Sequence, residues 1–194
     1  MDEDHATLQS AWANRLRRWG WLVWVEVSFN HYGDRGRVDL VAWHPILRIL
    51  CVVEIKTQLA DAQGTLGPLD VKVRVGRRIA SSLGLPPPRL VVPVLIVRDT
   101  VTNRRRLGRV APLFDEFAHR GRAAIGCLRH PERITGGMLI LSDLASAPGV
   151  SVRRVGRERI RLSKGQASAG DGPATVPATA ERAPSTPNAP LRSR

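Results

Sequence analysis

An α/β fold with a mixed β-sheet is the class that this 194-residue sequence predicts. Residues 5–19 repeat their apolar side chains at helical spacing, whereas 21–29 and the two runs within 38–57 are rich in the residues typical of strands. Helical and strand patterns alternate again further along, so the predicted element order is α-β-β-β-α-β-α-β in one domain. The apolar fraction of 43% is enough for one core.

The N-terminal helix and strand are predicted by their apolar spacing. Large apolar side chains repeat every three to four residues in 5–19: Leu8, Trp12, Leu16 and Trp19. Gly20 is expected to end this helix, and the run WLVWVEVSF (21–29) is predicted as a strand. The polar, glycine-containing segment NHYGDRGR (30–37) is predicted to be a loop.

Residues 38–57, VDLVAWHPILRILCVVEIKT, predict a β-hairpin whose two apolar runs are joined by a Pro-containing turn. With a four-residue turn at 45–48, Asp39 lies across from Glu54, and opposed Cβ atoms are about 4.5–5.5 Å apart. Glu54 and Lys56 share a face because side chains alternate along a strand. Two acids and a lysine are therefore predicted to meet at one point of an otherwise apolar hairpin.

The middle of the chain is predicted to hold a helix and another strand. The apolar period predicts a helix from about Asp70 to Leu83. A broken turn is expected before it, because two glycines and Pro68 interrupt the pattern. Residues 89–98 (RLVVPVLIVR) are predicted as a strand that lies at a sheet edge or bends, since Pro93 cannot donate a hydrogen bond.

The C-terminal part is predicted to add a helix, a strand and a tail. Asn103 is expected to cap a helix that runs to about His119, and residues 138–144 (MLILSDL) predict a late strand. From residue 164 onward the sequence becomes rich in Ala, Pro, Ser and Thr without periodicity. We therefore expect a folded domain at 1–163 and a disordered tail at 164–194.

The charge of the chain favours a polyanionic partner. The formal net charge is +13, and residues 1–160 alone hold 25 Lys and Arg against 15 Asp and Glu. Nucleic acid is the first expectation and an anionic membrane surface the second. A genome rich in GC, which enriches arginine, is the alternative explanation.

Several classes of protein are excluded or disfavoured by composition. Cys51 and Cys127 are the only cysteines, so neither a disulfide framework nor a thiolate metal cluster is expected. A reducing cytoplasm is the predicted location. The N-terminus, MDEDHATLQS, lacks the features of a signal peptide, and no apolar run approaches the ~20 residues that span a bilayer.

The carboxylates of the hairpin are candidates for binding a hard cation. Two opposed acids on a largely buried sheet either raise a pKa or recruit a cation. Oxygen ligands suit Mg²⁺, and no His or Cys cluster favours zinc. The chain has 27 arginines but three lysines, of which Lys56 is one. Lysine differs from arginine in that its side chain carries a compact point charge. A structural Glu–Lys pair on an exposed sheet face is the alternative for Glu54 and Lys56.

The run GRVDLVAW…ILCVVEIKT resembles the core of the PD-(D/E)xK nuclease superfamily. In that family an Asp opens one strand and Glu-x-Lys lies on the next, which matches Asp39, Glu54 and Lys56. Val38 stands where the name of the motif has Pro, outside the chemistry. The order helix, strand, hairpin, helix, strand also matches, over roughly residues 5–100. The resemblance implies a restriction-endonuclease-like fold, which is a three-layer core with a mixed β-sheet flanked by helices.

The resemblance also implies a Mg²⁺-dependent DNA endonuclease, with Mn²⁺ as the alternative ion. Asp39 and Glu54 would hold the ion at the scissile phosphate, and Lys56 would assist the attack of water. The carbonyl of Ile55 and an upstream acid, for which Glu26 is the candidate, are further metal ligands that the family implies. The alternative for Glu26 is a solvated acid at the edge of the sheet.

Basic residues expected to contact the nucleic acid lie on two predicted helices: Lys72, Arg74, Arg78, Arg104, Arg105 and Arg106. Arg74 and Arg78 share a face at i, i+4 spacing. The arginines at 104–106 stand at a predicted helix start, where the helix dipole disfavours positive charge, so an external anion is expected there. Contacts of this kind give affinity without sequence readout, and a solvated face is the alternative for each residue.

Three alternatives stay open at this point. A non-catalytic DNA-binding or regulatory protein that retains the nuclease fold is favoured by the irregular segment 64–68 and disfavoured by the intact Asp39, Glu54 and Lys56 set. A nuclease directed at RNA has no discriminating feature in the sequence. A homodimer is a further option, because cutting two strands favours two sites.

Overall fold

The fold follows the predicted α/β order and adds short elements in its C-terminal half. A computed structural model describes residues 3–31 and 33–143, so the predicted tail at 164–194 and the end of the predicted domain lie outside the described residues. The helices are Glu3–Arg18 (α1), Gln63–Arg74 (α2), Gly76–Ser82 (α3), Val101–Arg109 (α4) and Gly121–Arg129 (α5). The strands are Leu22–His31 (β1), Asp34–His44 (β2), Ile49–Lys56 (β3), Leu90–Arg98 (β4), His119–Arg120 (β5) and Met138–Ser142 (β6).

The described strands form one six-stranded mixed sheet in the order β1-β2-β3-β4-β6-β5. The first three strands are antiparallel neighbours, whereas β4 is parallel to both β3 and β6, and β5 is parallel to β6. The parallel pairs require crossover connections, which α2 and α3 supply between β3 and β4. The predicted α/β class with a mixed sheet is confirmed.

Helices cover both faces of the sheet. On one face, Leu8 and Trp12 of α1 pack with Ala124 of α5 in an apolar cluster. On the other face, Leu69 of α2 and Ile79 of α3 pack in a second cluster. The arrangement of the described residues is compatible with a three-layer α/β core.

The β2–β3 hairpin has the register that the sequence predicts. The turn spans the four residues between His44 and Ile49, which pair with each other, and the ladder continues to the pair Leu40–Val53. Asp39 and Glu54 are the next residues along the two strands. The hairpin therefore places the predicted acids at its open end, away from the turn.

The prediction of a loop at 30–37 is wrong. β1 runs to His31 and β2 starts at Asp34, so the two strands pair almost to the tip of their hairpin. Gly33 has a φ of 91°, which permits the tight connection. The polar residues of this segment are compatible with strand structure because Arg35 and Arg37 are exposed.

The prediction of one helix from Asp70 to Leu83 after a broken turn is also wrong. Helix α2 begins at Gln63 and contains Pro68, and Val75 separates it from α3. Thr65 secures the first turn, because its hydroxyl donates to the carbonyl of Asp61 at 2.7 Å. Packing of the buried face of α2 against the sheet outweighs the low helix propensity of its glycines and proline.

The predicted cap and extent of the next helix are corrected. Thr100 caps α4, since its side chain accepts a hydrogen bond from the Asn103 N–H at 3.1 Å. Helix α4 ends at Arg109 rather than near His119, which lies in β5, and the sequence pattern did not predict α5. The late strand is confirmed as β6.

Strand β4 lies inside the sheet, so of the two alternatives predicted from Pro93 the edge position is wrong, and the bend stays a prediction. Its pairing with β6 begins only at Val94, whereas Pro93 is aligned with Val52 of β3. The proline thus precedes the segment in which β4 has a neighbour on both sides. Among the described helices, none is long and apolar enough to cross a membrane.

Candidate active site

An irregularity in two neighbouring strands shapes the site. In β1, Val25 packs against the apolar cluster on the α1 side, whereas Val27 belongs to the cluster on the α2 side. Regular alternation would put both valines on one face. Glu26, between the two valines, has a φ of 56°. In the register of the two strands it is level with Asp39. Strand β2 changes face at Asp39 in the same way, since Leu40 and Val38 belong to different clusters. The backbone therefore leaves regular strand geometry where the acids stand.

The Asp39 carboxylate is held by the backbone of the neighbouring strand. The Ile55 N–H donates to Asp39 Oδ2 at 2.7 Å. Burial, and next the charge of Glu54, raise the pKa of Asp39 above its ordinary value. The Ile55 N–H, His5 and Lys72 oppose this rise. Because Glu54 precedes Ile55 on β3, the contact of the Ile55 N–H with Asp39 and the hairpin register make Asp39 and Glu54 neighbours on adjacent strands.

Helix α1 contacts the same carboxylate from the other side. His5 Nε2 lies 3.7 Å from Asp39 Oδ1, and the Gln9 amide donates to the Asp39 carbonyl at 3.1 Å. Asp4, in the same turn, pairs with Arg98 at the end of β4. The first turns of α1 are thus fixed over the ends of β2 and β4.

Glu54 is a buried acid between two lysines. Its Oε1 lies 2.9 Å from Lys56 Nζ, and its Oε2 lies 2.5 Å from Lys72 Nζ. Glu54 is 6% exposed and Lys72 8%, whereas the Lys56 side chain is 34% exposed. A buried carboxylate requires such partners, because its desolvation is costly. Of the two lysines, Lys56 has the more exposed side chain, at 34% against 10% for Lys72.

The residues present fit a hard divalent cation. Asp39 and Glu54 offer carboxylate oxygens, which are ligands that Mg²⁺ accepts together with water and phosphate oxygens. The Ile55 N–H points toward Asp39, and in a regular strand the carbonyl of the same residue points to the same neighbouring strand, so the Ile55 carbonyl is expected on that side. Within 3–31 and 33–143, no cluster of three or more His, Cys, Asp or Glu side chains has a metal-binding arrangement, so a third protein carboxylate is not supplied.

Glu26 lies in the neighbouring strand but has another partner. Its Oε2 is 3.7 Å from Arg37 Nη1, and its side chain is 12% exposed. The fit to a cation therefore depends on Asp39, Glu54 and the Ile55 carbonyl, while a ligand role for Glu26 stays a prediction.

A groove of about 450 Å³ lies between the tip of the β1–β2 hairpin and α2. Arg35 and Arg37 line it on the hairpin side and Lys72 on the helix side, and no acidic residue is among its described lining residues. Lys72 is the residue that the groove shares with the site, because its ammonium also contacts Glu54.

The other predicted nucleic-acid contacts are dispersed. Arg74 and Arg78 are exposed residues near the end of α2 and within α3. Arg104 forms two hydrogen bonds to Asp99, at 2.5 and 2.6 Å, and this contact lowers the pKa of Asp99. Arg106 donates to the Leu59 carbonyl at 3.3 Å. Arg105, the remaining predicted contact on α4, is exposed.

The external anion expected at the start of α4 is therefore not required. Asp99, which precedes the helix, supplies an internal carboxylate beside Arg104.

Three residues near the site were not predicted. His5 and Gln9 are one turn apart on α1, a spacing visible in the sequence, but nothing local indicates that Asp39 is their partner. Asn103 is buried at 1% exposure, and its amide donates to the Thr57 and Arg98 carbonyls at 2.9 and 2.8 Å. It thereby fixes the segment that follows Lys56.

No protein-family model matches the chain, and no curated protein matches its sequence. The interpretation of the site therefore depends on its own geometry and charges.

Proposed function

We propose that this protein is a divalent-cation-dependent nuclease that hydrolyses phosphodiester bonds in DNA on a restriction-endonuclease-like fold. One observation carries the proposal: at the open end of the β2–β3 hairpin the Ile55 N–H holds the Asp39 carboxylate at 2.7 Å, and the Lys56 ammonium lies 2.9 Å from the carboxylate of the adjacent Glu54. Such a site offers oxygen ligands to a cation and a positive charge to a phosphate. The net charge of +13 favours a polyanionic substrate.

The order of the elements supports the proposed fold. Helix α1, strand β1, the β2–β3 hairpin, helix α2 and strand β4 follow one another as the resemblance implies, with α3 added before β4. The acid on β2 and the Glu-x-Lys on β3 occupy adjacent strands.

Each residue of the site has a proposed role in hydrolysis. Asp39 and Glu54 bind the cation, and the Ile55 N–H keeps the Asp39 carboxylate in place at 2.7 Å. A Mg²⁺ ion held by these carboxylates would supply Lewis acidity at the phosphate and would lower the pKa of a water. Lys56, whose side chain is 34% exposed, stabilises the charge that develops on the phosphoryl oxygens. One P–O bond forms from water, and the P–O bond to the leaving sugar oxygen breaks.

A second candidate function is a DNA-binding protein without turnover. Its support is the pairing of both Glu54 oxygens with ammonium groups, Lys56 at 2.9 Å and Lys72 at 2.5 Å. Both Glu54 oxygens thus have internal cationic partners without any metal. In this alternative the charged cluster has only a structural role.

A cleavage assay separates the two candidates. Wild-type protein is incubated with plasmid, single-stranded DNA, branched DNA and RNA, in Mg²⁺, Mn²⁺ or EDTA. We expect cleavage of DNA that EDTA abolishes, and a reduction of at least about 100-fold in Lys56→Ala. The matched control is Arg77→Ala, because Arg77 has the same charge but lies on α3 and donates to the Pro88 carbonyl at 2.9 Å.

Three results would count against the proposal. DNA binding without cleavage in either metal would favour the second candidate. Equal cleavage by Lys56→Ala and Arg77→Ala would contradict the role of Lys56. Cleavage of RNA alone would overturn the assignment of DNA as substrate.

A further inference from the structure

Lys72 belongs to two features of the molecule at once. Its ammonium lies 2.5 Å from Glu54 Oε2, and the same residue lines the basic groove with Arg35 and Arg37. It is 8% exposed and lies near the end of α2, on the face that is buried against the sheet. The side chain therefore stands between the carboxylates and the groove.

The ammonium of Lys72 contacts a carboxylate oxygen that is a candidate ligand for a cation at the site. A Mg²⁺ ion binds a carboxylate oxygen at about 2.0–2.1 Å. Lys72 Nζ is 2.5 Å from Glu54 Oε2, which is close to the distance of a metal ligand. A divalent ion and an ammonium group repel strongly at such a separation when water is excluded. Both cannot remain on Glu54 Oε2.

We propose that Lys72 is a displaceable internal counter-ion that couples cation binding to nucleic-acid binding, an inference that rests on the proposed function. When a divalent cation binds Asp39 and Glu54, the Lys72 ammonium leaves Glu54 and turns into the groove. There it binds a phosphate of the nucleic acid. The cation and the nucleic acid then each increase the affinity for the other.

The charges that line the groove explain why binding of the cation and binding of the nucleic acid would favour each other. The groove is lined by Arg35 and by Arg37, which lies 3.7 Å from Glu26, so an ammonium released into the groove adds a further positive charge to a basic lining. This movement is unfavourable unless an anion occupies the groove. A phosphate supplies that anion, and charge-assisted bonds of Lys and Arg to phosphate are strong. Lys56 remains on the other Glu54 oxygen and keeps that carboxylate oriented.

The chain allows a direct measurement of this movement. It contains three lysines, Lys56, Lys72 and Lys164, so the NMR spectrum of isotope-labelled lysine side chains has few signals. We expect Mg²⁺ to shift the Lys56 and Lys72 signals at saturation, and a short DNA duplex added afterwards to shift Lys72 again. Lys72→Met assigns its signal. An unchanged Lys72 signal while that of Lys56 shifts would overturn the inference and leave the proposed function standing.

Binding affinity provides a second test. A labelled DNA duplex is titrated in EDTA and in Ca²⁺, a cation that also takes oxygen ligands. We expect Ca²⁺ to increase the affinity of wild type and of the control Arg77→Met by about tenfold, and that of Lys72→Met much less. Equal gains in all three proteins would contradict the coupling. If neither lysine signal responds to Mg²⁺ and Ca²⁺ changes no affinity, the inference and the proposed cation site both fail.

Discussion

The two ends of the β2–β3 hairpin consist of the same two strands but have opposite chemistry. At the turn end, Trp43 pairs with Leu50 in a regular ladder, and both are almost fully buried. At the open end, Asp39 and Glu54 bring charges into a poorly hydrated region of the sheet. Burial of apolar surface stabilises a fold, whereas burial of charge is costly even when it is paired. Apolar burial at the turn end therefore stabilises the hairpin. The open end contains charged groups that the stability of the fold does not require.

Two described residues other than glycine have a positive φ, one near each end of the hairpin: Arg48 in the turn, with a φ of 51°, and Glu26 beside the open end. Glu26 has a φ of 56°, in the left-handed region that side chains other than those of Gly, Asn and Asp seldom adopt. A conformation of this kind costs of order 1–3 kcal/mol and persists only where the surroundings enforce it. A residue in this conformation beside the acids of the neighbouring strands is typical of a functional site.

The largest expected effect comes from removing one charge at the open end. Asp39→Asn keeps an oxygen that accepts from the Ile55 N–H but loses the negative charge that Glu54 repels. We expect cleavage to fall by about 10³-fold while the melting temperature in EDTA rises. Single-turnover cleavage and thermal unfolding measure the two effects. A variant that loses both stability and activity would show that Asp39 has a structural role instead.

A change at the turn end should have the opposite pattern. Leu50→Ala leaves a cavity in a fully buried position close to Gly76 of α3, so we expect a loss of about 3 kcal/mol in the free energy of unfolding. Cleavage per folded molecule should remain that of wild type. Urea unfolding and activity assays below the unfolding transition measure these quantities, and a loss of activity in folded protein would contradict the separation of the two ends.

The pH dependence of the free energy of unfolding should also distinguish the open end of the hairpin from the turn end, with a smaller effect. Because the folded state raises the pKa of Asp39, this residue stabilises the fold at pH values below its ordinary pKa of 3.8, where it is protonated. That contribution is lost as pH rises through the raised pKa. In EDTA, wild type should therefore lose stability relative to Asp39→Asn as pH increases, and Mg²⁺ should reduce the difference. Parallel pH profiles of the two proteins in EDTA would contradict this account.

The smallest effect is expected in the turn itself. Ile46 is 86% exposed, so Ile46→Ser should change the free energy of unfolding by no more than about 0.5 kcal/mol and leave cleavage unchanged. Chemical unfolding measured beside Leu50→Ala provides the comparison. A large loss would show that the turn carries stability beyond its backbone geometry.

The hairpin could be predicted because its signals are local. Alternation, the length of the turn and the positions of Asp39 and Glu54 together determine a register, and the structure has that register over the ladder. The order of the first elements could also be predicted, because β-branched runs indicate strands and helical periods indicate helices.

The parts that could not be predicted depend on distant partners. Helix α2 forms through Pro68 because its other face packs on the sheet, and Thr100 rather than Asn103 caps α4 because Asn103 binds the loop after β3. The contact of Lys72 with Glu54 joins residues 18 positions apart on different elements. Spacing along the chain specifies none of these contacts.

The central claim is that the open end of the β2–β3 hairpin holds a divalent cation between Asp39 and Glu54. Isothermal titration of Mn²⁺ into metal-free wild type and into Asp39→Asn tests it most directly. The account predicts saturable binding to wild type that is weakened by at least about tenfold when the carboxylate of Asp39 is replaced. Absence of binding to wild type, or equal binding to both proteins, would contradict it.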